Sequence, residues 1–186
     1  MSSGFSLVNS MSSGEFSGQT MYTSILAAQD KVLAIGDVVV LGGSSDADGV
    51  ANIATGVTTG NALGVINSFA PRFAGEALDD AGGIPALTAG NAQVITDQST
   101  LYRVAVTNGP LVAANVGLNA NTVATEATKT GGLTTSNMTL NATGIATTIT
   151  LTWKIVGLAL DDQGDNLGSF AFVRLNASSL LNAVGV

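Results

Sequence analysis

The sequence predicts an all-β protein: an antiparallel β-sandwich of the jelly-roll type with an extended N-terminal arm. Short runs rich in Val, Ile and Thr recur along the chain, and clusters of Gly, Asn, Asp and Ser separate them. No long stretch has apolar side chains at the 3.6-residue spacing of an amphipathic helix. The pattern corresponds to roughly eight to ten strands, and a chain of 186 residues is long enough to bury a core around them.

Residues 1–21 have a different composition from the rest and are predicted to form the arm. The segment "MSSGFS" at 1–6 is nearly repeated by "MSSGEFSG" at 11–18, with few apolar residues among Ser and Gly. Such a segment cannot bury enough apolar area to fold alone. It is either a flexible terminus or an arm that becomes ordered on a neighbouring molecule. For the second case, the expected partner-binding residues are Phe5, Leu7, Val8, Phe16 and Tyr22.

Residues 22–186 are predicted to form a single all-β domain, and its first half consists of short strands and turns. Strands are expected within 21–28, 31–43, 50–56 and 58–69. The segment 70–91 contains two of the three prolines and two Gly-rich turns, so it is predicted to be a long surface loop. If the arm is separate from this domain, deletion of residues 1–20 should leave a folded, soluble body.

The second half of the domain shows the clearest alternation. Around 102–106, Tyr102 and Val104 are expected on one face of a strand and Arg103 on the other. The run "ATTITLTWKIVGL" at 146–158 also alternates, with β-branched residues on both faces, so it predicts a half-buried antiparallel strand. Trp153 lies on the apolar side of this run and is expected in the core.

Composition excludes several classes of function. Charged residues make up only 10 % of the chain, which favours a protein whose surface is covered by other proteins; a compact secreted β protein is the alternative. The chain has no Cys and no His, so thiol nucleophiles, His-based triads and disulfides are excluded. The net charge is −7 and no two of the six basic residues are adjacent, so no nucleic-acid partner is expected.

A membrane partner is not expected either. The first 21 residues lack both the cationic and the apolar region of a secretory signal. The longest apolar stretches, such as "IVGLAL" at 155–160, are far shorter than the ~18 residues that a spanning helix needs.

Three acidic clusters could in principle bind a metal or perform acid–base chemistry, but each is better explained as a loop. In the cluster that begins at Asp161, Asn166 stands where a calcium-binding loop needs Gly, and Phe172 stands where it needs Glu. A loop that begins with the turn at 44–49 likewise lacks the Glu that calcium binding needs at its last position. The remaining cluster comprises Glu76, Asp79 and Asp80. No metal, cofactor or catalytic residue is therefore predicted, and the protein is expected not to be an enzyme.

With chemistry set aside, the second half resembles the capsid cement (head decoration) proteins of tailed bacteriophages. The resemblance covers about 95–178 and, more loosely, 36–67. The matching segments, in order, are "YRV" at 102–104, "VGLN" at 116–119, "GLTTS" at 132–136, "KIVGL" at 154–158 and "VRLN" at 173–176. The alternating Thr run and an acidic "DN" loop lie between them.

This resemblance implies a β-sandwich on the outer surface of a virion. Its expected partners are the major capsid protein, which it would bridge to a neighbouring copy, and itself as a homodimer or homotrimer. The alternatives are another virion or surface-array component, such as a head fibre, a tail part or a surface-layer module. A carbohydrate-binding adhesin sandwich is a further alternative.

Overall fold

The computed structural model describes residues 4–10, 19–56, 60–70 and 82–176, and in these ranges the chain is all-β, which confirms the predicted fold class. A 3-10 turn at Ala113–Asn115 interrupts the strands. The strands are β1 (Ser6–Ser10), β2 (Thr20–Ile25), β3 (Leu33–Ala34), β4 (Val38–Ser45), β5 (Ala51–Thr55), β6 (Gly64–Ala70), β7 (Gly83–Ile84), β8 (Gly90–Ile95), β9 (Thr100–Thr107), β10 (Asn119–Ala120), β11 (Thr122–Val123), β12 (Thr128–Thr130), β13 (Leu133–Thr135), β14 (Thr139–Asn141), β15 (Trp153–Ala159) and β16 (Phe170–Leu175).

The first half of the chain forms a closed barrel in the order β2-β5-β4-β6-β8. The strand β2 closes it by pairing antiparallel with β8 and, through Ser24 and Ile25, parallel with β5. Alternate residues of these strands point inward and fill the barrel with aliphatic side chains. The buried residues of this interior are Ile25, Leu33, Val39, Ile53, Leu63, Ile66, Ile84, Ala92 and Val94.

The second half forms a seven-stranded sheet around β9. Its order is β10-β15-β16-β9-β14-β11, with β1 added beside β9. On one side β9 pairs with β16, and on the other it pairs with β1 along its first half and with β14 at its end. The β9–β14 and β2–β5 pairs are parallel, so the otherwise antiparallel sheets are mixed at these two pairs.

Barrel and sheet share a hydrophobic core. Three barrel residues are sequence neighbours of inward-facing ones, so their side chains point out of the barrel. These residues, Val38, Val65 and Ile95, pack into the core cluster of the sheet. The strands β4, β6 and β8 are therefore buried on both faces at these positions. The resulting two-layer arrangement is compatible with the expected sandwich, and one of its layers is closed into a barrel.

Three aromatic side chains occupy the centre of the shared core. The ring of Phe5 stacks on Trp153 with their centroids 4.5 Å apart, and Tyr102 contacts Trp153 edge-on at 5.5 Å. The indole N–H of Trp153 donates a hydrogen bond to Thr122 Oγ1 over 2.8 Å, which satisfies its one polar atom. The prediction that Trp153 lies in the core is confirmed, as is the alternation around Tyr102.

The predicted free arm is not confirmed for residues 4–10. Phe5 is only 3 % exposed, and its N–H donates to the carbonyl of Gly36 over 3.1 Å. Residues 6–10 form β1 and pair with β9, so the β9 edge supplies the hydrogen-bond partners that a Ser- and Gly-rich segment lacks alone. The prediction that Phe5 binds a partner is therefore wrong, because its side chain is buried in the core of its own chain. Residues 1–3 and 11–18, which include Phe16, lie outside the described residues.

The strand predicted across 146–158 begins only at Trp153. Residues before it form a turn, and Ile149 is 79 % exposed. The side-chain amide of Asn176 donates to the carbonyls of Ile149 and Leu151, each over 3.0 Å, and Thr152 Oγ1 donates to the carbonyl of Gly60 over 2.7 Å. The carbonyls of Ile149 and Leu151, which a strand would have used for pairing, are therefore occupied by these long-range hydrogen bonds.

The loop predicted at 70–91 contains strand residues in its described part. Within its described part, Gly83–Ile84 forms β7, which pairs with β3, and β8 begins at Gly90. Residues 71–81, where the acidic cluster at 76–80 falls, lie outside the described part of the chain.

Replacing Phe5 by Ala should destabilise the protein by about 3–5 kcal/mol, because it leaves a cavity against Trp153. Val8→Ala, a change at an exposed position of the adjacent strand β1, should alter stability by less than about 0.5 kcal/mol. Guanidinium unfolding followed by the fluorescence of Trp153, the single tryptophan, measures both. Equal stability of the two variants would show that residues 4–10 are dispensable for the fold.

Candidate interaction surface

The structure separates the residues that were predicted to bind a partner. Leu7 and Val8 are exposed on β1, whereas Phe5 beside them is buried. Tyr22 is exposed on the barrel strand β2, away from Leu7 and Val8. Of these exposed residues, Leu7 lines a concave surface.

That surface is an apolar groove of about 410 Å³ between β1, the β12–β13 hairpin and the barrel, here called the β1 groove. Three large apolar side chains stand at its rim: Leu7 is 42 % exposed, Ile35 41 % and Leu133 61 %. Its apolar floor is made of core residues, namely Phe5, Val65, Ile66, Ile95 and Tyr102. A concave surface with apolar floor and rim loses free energy when it is covered, so it is a candidate for binding an apolar segment of another protein.

Ile35 is held at the rim by the turn between β3 and β4. The N–H of Ile35 donates to the carbonyl of Gly82 over 2.9 Å, and the N–H of Gly36 donates to the carbonyl of Ile66 over 2.9 Å. Gly36 has a φ of +90°, a conformation that favours glycine. Because its carbonyl also accepts from Phe5, this turn connects the barrel to the N-terminal segment. The rim is therefore preorganised.

Leu133 is presented by the hairpin of β12 and β13. Its two-residue loop is Gly131-Gly132, with φ values of +61° and +86°, as type I′ hairpin turns require. The side-chain amide of Asn137 donates to the carbonyl of Glu126 over 2.8 Å and so ties the two ends of the hairpin together. On the other side, β7 approaches so closely that a Cβ on Gly83 would lie 2.5 Å from the Thr134 side chain. The hairpin is thus fixed against the barrel.

Asp37 is a buried carboxyl group in the turn that holds Ile35. Its Oδ2 accepts a hydrogen bond from the N–H of Ala34 over 2.8 Å, while Oδ1 has no partner of good geometry among the described residues. Burial raises the pKa of Asp37 to about 6, and the nearby Ser136 hydroxyl and the Ala34 N–H only partly oppose this. The charged form of this side chain therefore weakens the fold next to the groove.

The acidic cluster that begins at Asp161 is the connection between β15 and β16. Asp161 Oδ1 accepts from the N–H groups of Gln163 and Asp165, over 3.1 and 2.8 Å, and Oδ2 accepts from the Asn166 amide over 2.5 Å. The hydrogen bond from the Asp165 N–H is the largest contribution that lowers the pKa of Asp161, followed by that from the Asn166 side chain. The oxygens of Asp161 thus shape the loop itself, as expected of a strand connection.

The turn at 44–49 is organised in the same way. Asp46 Oδ1 accepts from the N–H groups of Asp48 and Val50, over 3.0 and 2.8 Å, between β4 and β5. Among the described residues, no three carboxylates come together in an arrangement that could hold a metal ion. The same ranges contain no helix long and apolar enough to cross a bilayer.

The sequence identified one of the three rim residues, Leu7. Ile35 was missed because it ends an apolar run that was predicted to be a strand, and Leu133 because it is a single apolar residue beside a glycine turn, a pattern that is common in surface loops. The available signal was that both are large aliphatic side chains next to residues that need a positive φ. No protein family, curated protein or solved structure matches this chain.

Stability should rise as the pH falls from about 6 to 4, because the folded-state pKa of Asp37, about 6, lies above its ordinary value of 3.8. The folded chain keeps this proton in a pH range where the unfolded chain loses it. Above pH 6 the ionised carboxylate costs roughly 3 kcal/mol. Asp37→Asn should remove the pH dependence between 4 and 6 and stabilise the protein at pH 7.5 by about 1–3 kcal/mol.

Guanidinium unfolding at a series of pH values measures this dependence. Asp48→Asn, a change in the exposed 44–49 turn, serves as the control and should keep the wild-type pH profile. A profile that is flat in the wild type, or unchanged in Asp37→Asn, would contradict the assignment.

Proposed function

We propose that this chain is a non-enzymatic structural virion protein that binds the outside of a phage capsid and cements adjacent major capsid proteins. The observation that carries the proposal is the β1 groove, whose rim exposes Leu7, Ile35 and Leu133 in a chain with only 10 % charged residues. The resemblance of residues 95–178 to capsid cement proteins gives the class of partner. The proposed occupant of the groove is an extended apolar segment of the shell protein.

The groove is suited to this role because it is preformed. The turn at Ile35 and the hairpin at Leu133 are both fixed by hydrogen bonds to the barrel or within the hairpin. A partner segment would therefore not have to order these loops when it binds. Most of the conformational entropy that is lost on binding is therefore that of the partner segment.

The magnitude favours an assembly role over tight one-to-one binding. Covering the exposed parts of three aliphatic side chains gains about 1 kcal/mol each, since full burial is worth about 1.5–3 kcal/mol. The loss of translational and rotational freedom costs at least about 4 kcal/mol. One groove contact alone is thus weak, and stable attachment requires several contacts per subunit or a homodimer or homotrimer that binds through several grooves.

Mass spectrometry of purified particles from the phage that encodes this chain tests the proposal directly. A cement protein should be present at one copy, or a fixed fraction of a copy, per shell protein. A few copies per particle would instead indicate a head fibre or tail part, and absence from the particles would refute a virion role.

Leu133→Asp should weaken binding to shells that lack the protein by roughly tenfold or more, because it places a charge on the groove rim. Ile149→Asp is the matched control, since Ile149 is also a highly exposed aliphatic residue but does not line the groove. Co-sedimentation with the shells measures the bound fraction. Equal loss for the two variants, or no loss for Leu133→Asp, would exclude the groove as the binding surface.

A further inference from the structure

The face of the sheet that points away from the barrel carries half of the chain's basic residues. Alternation along β15 and β16 sends Trp153, Ile155 and Val173 into the core and the intervening side chains outward. The basic residues on this outward face are Arg103, Lys154 and Arg174, out of six in the sequence. In a chain with a net charge of −7, this is a local reversal of sign.

Arg103 is satisfied within the chain. Its Nη2 lies 2.9 Å from a carboxylate oxygen of Asp162 and donates to the carbonyl of Leu160 over 2.9 Å. Its guanidinium also covers the ring of Phe170, 3.8 Å from the ring centroid. This residue therefore anchors the acidic loop and is not a free cation.

Lys154 and Arg174 are in a different situation. They stand directly opposite each other in the antiparallel β15–β16 pair. Neither forms an ion pair with any residue of 4–10, 19–56, 60–70 or 82–176. Like charges directly opposite across two strands repel each other and destabilise the sheet. Such a pair destabilises the sheet locally unless an anion neutralises its charge.

A shallow cavity of about 280 Å³ lies at this pair. Val116, Gly117, Ile155 and Val156 complete its lining around the two cations. Val116 is exposed, and the N–H of Gly117 donates to the carbonyl of Ile155 over 2.9 Å, which fixes this wall against the sheet. The cavity thus offers two positive charges beside an apolar wall.

We propose that the Lys154–Arg174 pair binds a carboxylate side chain of a partner protein, with the aliphatic part of that side chain against Val116 and Val156. Arg can hold a carboxylate through two parallel hydrogen bonds while Lys adds a third donor. Two cations are too few to bind a nucleic acid against a net charge of −7, since phosphate binding requires many such contacts. A single Glu or Asp side chain supplies negative charge between the two cations and is small enough to enter a cavity of about 280 Å³.

This site could also have a second role, as one of two surfaces by which the protein bridges its neighbours. This second role rests on the proposed function. Tyr102 lines the β1 groove from the inward face of the sheet, whereas Arg174 points to the outward face. Two neighbouring shell proteins could therefore be bound at the same time, one through apolar contacts and one through a carboxylate. A protein that bridges two neighbours needs two such separate surfaces.

An NMR titration of the ¹⁵N-labelled full chain with acetylated tri-glutamate peptide, at constant ionic strength, tests the site without any shell protein. We expect saturable shifts at the amides of Lys154, Arg174 and Val116, with a Kd in the millimolar range. The double variant Lys154→Gln/Arg174→Gln should bind roughly tenfold more weakly. The control Lys31→Gln, at an exposed lysine outside this cavity, should bind like the wild type.

Thermal unfolding gives a second readout that does not depend on the peptide. Because the like-charge repulsion is removed, Lys154→Gln/Arg174→Gln should raise Tm by about 1–3 °C. A lower Tm would mean that the pair has a structural role, and the proposal would be wrong.

Three titration results would overturn the proposal: no saturable shifts, equal shifts with inorganic phosphate at the same ionic strength, or shifts that depend only on protein concentration. Shifts that depend only on protein concentration would indicate that the outward face of the sheet binds a second copy of the chain. Failure of this titration leaves the particle-binding result untouched, and absence of the chain from virions leaves the carboxylate site untouched.

Discussion

The stacking of Phe5 on Trp153 is the interaction on which the rest of the structure depends. It places the N-terminal segment against the centre of the seven-stranded sheet, so that β1 can pair with β9. The same segment reaches the barrel through the hydrogen bond from Phe5 to Gly36. Barrel, sheet and N-terminus are therefore joined at one point, and the groove beside β1 exists because these three parts meet there.

The arrangement explains how a chain with few charges can be folded and still expose an apolar groove. The barrel uses its inward side chains for its own interior and some of its outward ones, such as Val38, for the shared core. Three of the exposed large apolar side chains, Leu7, Ile35 and Leu133, lie together where β1, the turn at Ile35 and the β12–β13 hairpin converge. The opposite face of the sheet has aromatic and basic residues instead, so the two faces suit partners of different chemistry.

Short-range sequence patterns predicted the fold class and many strands, because alternation of side chains is a local property. Around Tyr102 and in β16 the alternation, the burial and the strand agree. The patterns failed where a distant residue decides the local structure. Asn176 binds the backbone near Ile149 across 27 residues, and Phe5 is buried by Trp153 from the far end of the chain. The barrel closure and the groove rim depend on such distant contacts, so neither could be predicted locally.

The central claim is that the groove beside β1 is occupied when the protein is attached to a capsid. A cryo-EM map of particles that carry the protein tests it most directly. The account predicts density from the shell protein between Leu7 and Leu133, in contact with Ile35. A map in which the protein is attached through the barrel strand that carries Tyr22, with this groove open to solvent, would contradict it.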